Sequence, residues 1–266
     1  MAHLSINFKS EALHMPVMVD VIMPQGHGGY KTLYLLHGAG GDHTTWCSRS
    51  RVEDYADNRN IAVIMPSGNN KFYVNNEHGK DYFTFITDEL PNVCERWFDL
   101  SRAAQDRYIA GVSMGGYGAL YGAMKKPGFY ASAFGMSPYL SAGEALKDYE
   151  NGKCKGIGED LYSVFGNSTS YAQKFYDLCD LVHNLGENSG NCVDNSTKFI
   201  ISCGLQDNIV SPQICGKLAD CMKNYGYNAE FISEAGSHDW DYWDTCIQRA
   251  VDIIDRDGIG GGYGGH

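Results

Sequence analysis

Apolar residues along the chain follow two rhythms. Residues 3–8 and 17–23 alternate apolar and polar positions, the period of a strand with one face toward water, and predict an antiparallel opening pair. Residues 32–36 and 61–66 are instead unbroken apolar runs, the pattern of strands covered on both faces. Residues 107–111, 129–136, 198–204 and 228–233 extend the strand set. Between them, residues 50–58, 82–98, 114–125, 211–224 and 241–255 read as helices. The stretch Gln25-Gly26-His27-Gly28-Gly29 reads as a turn, and 67–81 as a long polar loop carrying Phe72 and Tyr73.

Strands that alternate with helices predict a largely parallel sheet with helices on both faces. Residues 139–195 break the rhythm. They are polar, with scattered Gly, Asn and Ser and no strand pattern, and are expected to form a small helical cap inserted between strands. The expected organisation is one α/β domain over residues 1–257, followed by a flexible Gly-rich tail, 258–266. A chain of 266 residues is long enough for one large core without demanding a second.

Charge and cysteine content narrow the classes. The formal net charge is −11 and no Lys/Arg-rich run is present, which argues against a nucleic-acid partner. No stretch approaches the roughly 20 apolar residues of a membrane-spanning helix. The nine cysteines are scattered, with no Cys-x-x-Cys pair and no Cys/His spacing of a zinc site. They read as mostly reduced thiols, and with no leader-like segment at Met1 the expected compartment is cytoplasmic, although a mature secreted chain would read the same.

The chemistry concentrates in a few residues. Gly111-Val112-Ser113-Met114-Gly115 matches Gly-x-Ser-x-Gly, and its context gives the match weight. A strand enters, Ser113 sits at the turn, and a helix leaves, as a nucleophile elbow requires. The free N–H groups and dipole of that helix start favour a developing negative charge. Serine is a weak nucleophile without a base. An elbow predicts the chain order Ser, acid, His. Only His183, His238 and His266 follow Ser113. His266 ends the tail and His183 lies in the cap segment, whereas His238 sits in the loop between the last strand and the last helix. Asp207, just past the strand at 198–204, is the expected acid, ahead of Asp177, Asp180 and Asp194, which precede that strand. Two backbone N–H groups should form an oxyanion hole: Met114, next to the nucleophile, and Ala39, in the loop His37-Gly38-Ala39-Gly40-Gly41. That loop lacks the third glycine of a dinucleotide turn, and Gly116 is followed by Tyr117 rather than the Lys of a phosphate loop. Among the aromatics that could line a pocket, Trp46, Phe72, Tyr73, Trp240 and Trp243, the expected substrate contacts are Trp46, Tyr73 and Trp240.

Together, Leu35-Leu36-His37-Gly38, Trp46, Glu89-Leu90-Pro91, Gly111 to Gly118 and Ser237-His238-Asp239-Trp240 resemble the esterase D / tributyrin-esterase family. This family includes S-formylglutathione hydrolases, feruloyl and acetyl-xylan esterases and mycolyltransferases. The resemblance runs from about Asn7 to Ile254 and thins through 139–195. It implies an α/β-hydrolase fold, a triad of Ser113, Asp207 and His238, an oxyanion hole at Ala39 and Met114, and no metal or organic cofactor. The expected activity is a serine carboxylesterase for short acyl groups, such as acetyl or feruloyl groups on plant carbohydrates. S-formylglutathione hydrolysis and acyl transfer to an alcohol are the alternatives. The expected partner is a small-molecule ester or acylated carbohydrate, with no nucleic acid and no membrane, and the sequence leaves a homo-oligomer open.

Overall fold

The computed structural model describes residues 1–25, 29–57, 59–152, 161–188 and 195–256. The Gly-rich tail, Asp194, His266, most of the turn at 25–29 and parts of the expected cap lie outside the described residues.

The chain opens with β1 (Ala2–Ser10) and β2 (Met15–Met23), followed by β3 (Lys31–Leu36). Two short helices come next, α1 (Thr45–Arg49) and α2 (Val52–Ala56), then β4 (Ile61–Pro66). A continuous helical stretch follows: α3 (Tyr82–Thr84), a π-helical turn (Phe85–Glu89) and α4 (Leu90–Trp97). The elbow unit is β5 (Arg107–Val112) and α5 (Met114–Lys125), and β6 (Ser132–Met136) follows it. Among the described residues, four helices lie between β6 and the next strand: α6 (Ala142–Glu150), α7 (Leu161–Phe165), α8 (Thr169–Tyr176) and α9 (Leu178–Asn188). The chain then runs through β7 (Lys198–Gly204), α10 (Pro212–Asn224), β8 (Asn228–Glu234) and α11 (Trp240–Arg256).

The eight strands form one sheet in the order β1-β2-β4-β3-β5-β6-β7-β8. β1 with β2 and β2 with β4 are antiparallel, and every other pair is parallel. This is the expected α/β-hydrolase arrangement. The unbroken apolar runs have the expected cause. Alternate residues of the inner strands feed opposite cores: Tyr34, Leu36, Ala62, Ile64 and Ile109 face one, and Leu33, Leu35, Val63, Tyr108 and Ala110 face the other. Helix α5 packs in the first core. Helices α1, α2 and α11 close the second through Trp46, Val52, Tyr242, Trp243 and Ile247.

One expectation needs correction. The helix read over 50–58 is the shorter α2, Val52–Ala56, and a separate helix the pattern does not predict, α1 at Thr45–Arg49, precedes it across Ser50 and Arg51. Ser50 is extended, with ψ 171°, and its hydroxyl donates to the Trp46 carbonyl at 2.7 Å. Trp46 itself is fully buried, so the chain turns to seat this one large side chain rather than following local helical preference.

Glu89 shows why a charged residue precedes Leu90-Pro91. Its Oε2 accepts from the Ser10 hydroxyl (2.6 Å) and the Ala12 N–H (3.1 Å), and its Oε1 accepts from the Glu11 N–H (2.7 Å). One half-buried carboxylate thus holds the β1–β2 turn against the helix. Hydrogen bonds to a charged group are worth about 1.5–3 kcal/mol each, and orphaned donors add to the loss. Glu89→Ala is therefore expected to destabilise the fold by about 2–4 kcal/mol. In urea unfolding the midpoint should fall with the m-value unchanged.

Candidate active site

β5 delivers Ser113 at a turn that side chains rarely permit. Ser113 has φ 52° and ψ −115°, a left-handed backbone for a residue with a Cβ. Two glycines allow it. A Cβ on Gly111 would lie 2.4 Å from the Gly115 carbonyl group, and one on Gly115 would lie 2.4 Å from the Leu36 carbonyl oxygen. The strand, the helix and the neighbouring strand therefore approach backbone to backbone, and Gly-x-Ser-x-Gly is the spacing that geometry demands.

β7 and β8 deliver the other two side chains from the same end of the sheet. His238 Nε2 lies 3.1 Å from Ser113 Oγ, and His238 Nδ1 lies 2.9 Å from Asp207 Oδ2. The second oxygen of Asp207 accepts the N–H groups of Ile209 (3.0 Å) and Val210 (2.8 Å). Burial pushes the Asp207 carboxyl up, but the Val210 N–H and the His238 imidazole outweigh it and hold the group below its ordinary value. Asp207 is therefore a carboxylate throughout the neutral range. The two loops are tied directly, with Gln206 N–H to Gly236 O at 2.9 Å and Gly236 N–H to Gln206 Oε1 at 2.8 Å.

The loop after β3 supplies the opposite wall, and buried His37 is its anchor. Its Nδ1 lies 2.7 Å from the Gly38 carbonyl, and its Nε2 accepts the Gly68 N–H at 2.8 Å. Those two bonds require the neutral ring with its proton on Nδ1. Burial lowers the His37 pKa from its ordinary value of 6.5. Two further N–H groups of the loop are engaged, Gly40's by Asn70 Oδ1 (2.8 Å) and Gly41's by the Gly38 carbonyl (3.2 Å). Ala39 lines the cavity beside Ser113 and Met114. Met114 is the first residue of α5, so its N–H is outside the helix's own ladder.

The cavity over Ser113 measures about 580 Å³. Phe72, Tyr139, Trp240 and Trp243 form its aromatic side, and Trp243 meets the His238 ring edge to face at 4.9 Å. Of the expected substrate contacts, Trp240 lines the cavity. Trp46 and Tyr73, contrary to expectation, do not. Trp46 is fully buried behind the wall, where its Nε1–H donates to the Leu36 carbonyl at 3.1 Å and its ring supports Trp240 edge to face at 5.1 Å. Tyr73 is 1% exposed, and its hydroxyl donates to the His37 carbonyl at 2.9 Å. Both aromatics spend their polar atom on the backbone that leads into the loop. Thr45, Ser48 and Arg49 were missed by sequence reasoning. They share one face of α1 at i, i+3 and i+4 and line the cavity, a spacing visible only once that segment is known to be helical.

The sequence pattern of a family described as "Putative esterase" matches residues 10–252. An acetyl esterase of Caldicellulosiruptor saccharolyticus is 30% identical over 96% of this chain and 99% of its own. Among solved structures, a fluorophosphonate-binding serine hydrolase F of Staphylococcus aureus superposes with a TM-score of 0.83 at 27% identity, covering 96% of this chain and 98% of that one. An S-formylglutathione hydrolase, also of Staphylococcus aureus, gives 0.76 at 28% identity over the same shares.

Two stability measurements test this geometry. Ser113→Gly is expected to be more stable than Ser113→Ala by about 1 kcal/mol, since both lose the hydroxyl but only glycine relieves the positive φ. Equal urea midpoints would show the turn to be unstrained. For His37 the folded pKa lies below the unfolded one, so its contribution is fully present above pH 6.5 and is lost as pH falls from there through the folded value. The stability advantage of wild type over His37→Gln should therefore shrink between pH 7 and pH 5, as measured by paired urea titrations.

Proposed function

This chain belongs to the putative esterase family of serine ester hydrolases, and we propose that Ser113 is its nucleophile, His238 its proton carrier and Asp207 the acid behind them. One observation carries the reading: a single imidazole lies within hydrogen-bonding distance of both Ser113 Oγ and Asp207 Oδ2. The substrates would be short-chain acyl esters, with acetyl or feruloyl groups on plant carbohydrates the favoured class.

In this scheme Ser113 Oγ attacks the ester carbonyl while His238 Nε2 takes its proton. The N–H groups of Ala39 and Met114 receive the oxyanion. Such a donor typically lowers the barrier by about 3–4 kcal/mol. His238 then protonates the leaving alcohol, and water repeats the sequence on the acyl-enzyme. Asp207 keeps Nδ1 protonated and stabilises the imidazolium that forms. Its role depends on the charge that the Ile209 and Val210 N–H groups help to hold.

The substrate class rests on the cavity and on the relatives. A space of about 580 Å³ accepts a small acyl group together with part of a sugar or aryl leaving group. The aromatic wall offers rings to either. The named acetyl esterase is the relative that supports acetyl as the acyl group.

A second reading draws on Arg49, a cationic residue of the cavity wall. An anionic thioester such as S-formylglutathione would use that charge, and a 28% identical structure bears the name of that activity. Arg49→Ala separates the two. It should leave p-nitrophenyl acetate hydrolysis nearly unchanged, and under the second reading it should raise KM for the glutathione thioester.

The triad assignment is tested on p-nitrophenyl acyl esters of increasing chain length. Ser113→Ala should abolish hydrolysis of every member, and fluorophosphonate labelling with it. Asp207→Asn should lower kcat by roughly 10⁴-fold with the fold retained, because the imidazole then carries its proton on the wrong nitrogen. Near-wild-type turnover in Ser113→Ala would end the assignment.

A further inference from the structure

On the edge of the sheet carrying β1, three side chains from three elements converge. His3 comes from β1, Cys47 from α1 and Glu53 from α2. His3 nitrogen, Cys47 Sγ and a Glu53 carboxylate oxygen all lie within 4.8 Å of one another. The closest pair is His3 Nδ1 and Glu53 Oε1, at 2.9 Å. The other ring nitrogen, His3 Nε2, lies 3.1 Å from Oδ2 of Asp20. Asp20 is 2% exposed, and its remaining oxygen accepts the Ser5 hydroxyl at 2.6 Å. Cys47 is half-buried, with Sγ 3.7 Å from Met65 Sδ.

The donor set is one imidazole nitrogen, one thiol sulfur and one carboxylate oxygen, a combination suited to zinc. Asp20 supplies the feature that distinguishes a ligating histidine from a merely polar one. A metal-bound imidazole gives its other N–H to a carboxylate, which fixes the tautomer and aims the free lone pair. With its proton on Nε2 toward Asp20, His3 turns the Nδ1 lone pair toward Glu53 and Cys47. Two negative ligands, thiolate and carboxylate, then balance a dication.

We propose that His3, Cys47 and Glu53 form a zinc-binding site, with water completing the coordination, that fastens the first strand to helix α1. On binding, Cys47 loses its thiol proton to solvent and the sulfur takes the metal in its place. Any proton held between His3 Nδ1 and Glu53 leaves in the same way. Zinc exchanges aqua ligands for His3 Nδ1, Cys47 Sγ and a Glu53 oxygen, the displaced water and protons leave to solvent, and no redox partner is needed. None of the three ligands lines the cavity over Ser113. Helix α1 nevertheless joins the two places, since Cys47 is flanked on it by Thr45, Ser48 and Arg49 of the cavity wall. The zinc site would therefore steady that wall without entering the reaction.

The test uses the full chain, stripped with chelator and then titrated with zinc sulfate. Alkylation of each cysteine is followed by peptide mass spectrometry. Zinc should slow alkylation of Cys47 while leaving Cys221, which has His183 Nε2 at 3.7 Å, as the internal control. His3→Ala and Glu53→Gln should each lose the protection, and both should hydrolyse p-nitrophenyl acetate normally without zinc, which certifies their folds. Asp20→Asn should weaken zinc binding roughly 10–100-fold. Cobalt substituted into the wild type should give a thiolate charge-transfer band that Cys47→Ser removes. The proposal is overturned if zinc leaves Cys47 alkylation unchanged, if protection survives in His3→Ala and Glu53→Gln, or if the protected residue is Cys221.

Discussion

Everything at the site depends on how closely three backbones can approach at one point. Gly111, Gly115 and the Leu36 carbonyl occupy space that a single Cβ would make impossible. This contact forces Ser113 out of the ordinary conformational basins and starts α5 immediately behind it. It also brings the end of β3, and the loop that follows, within reach of Ser113. A dispersed set of hydrophobic contacts could tolerate small changes by relaxing, but a backbone–backbone contact cannot. The fold's most constrained point is therefore also the one at which the proposed nucleophile stands.

Around that point, polar groups replace flexibility. The neutral ring of His37 ties the β3 loop to the strand β4 side through Gly68. Asp207 is fixed by two backbone N–H groups before it contacts His238. Tyr73 and Trp46 each donate to a carbonyl at the end of β3, so two of the bulkiest buried side chains act as braces for the same few residues. Each of these groups holds orientation by hydrogen bonding and leaves the cavity surface to other aromatics.

Much of this was legible in the sequence because it depends on periodicity and order. Unbroken apolar runs marked the inner strands, and β4, α5 and β7 fall on the residues expected of them. His238 and Asp207 stand out because chain order and loop position leave few alternatives, and in space His238 lies between Asp207 and Ser113. The failures share one cause. Trp46 and Tyr73 were expected at the cavity because aromatics near motifs suggest binding, yet which way a side chain points is decided by packing around it. The break between α1 and α2 likewise depends on seating Trp46. Thr45, Ser48 and Arg49 were invisible for that reason, and so was the meeting of His3, Cys47 and Glu53, whose separation along the chain matches no local spacing rule.

The sheet order has a consequence for how the molecule comes into being. The three side chains at the elbow arrive on β5, β7 and β8, and Ser113 and His238 are separated by 125 positions. Contacts so remote in sequence carry a large loop-closure entropy, and topologies that rely on them fold slowly. The elbow on β5 and α5 is local in sequence, whereas the His238 imidazole reaches it only through the pairing of β8 with β7. Under the proposed triad, turnover during refolding would appear only once β8 and the loop carrying His238 have docked. The molecule carries its own stopwatch for the final step of assembly.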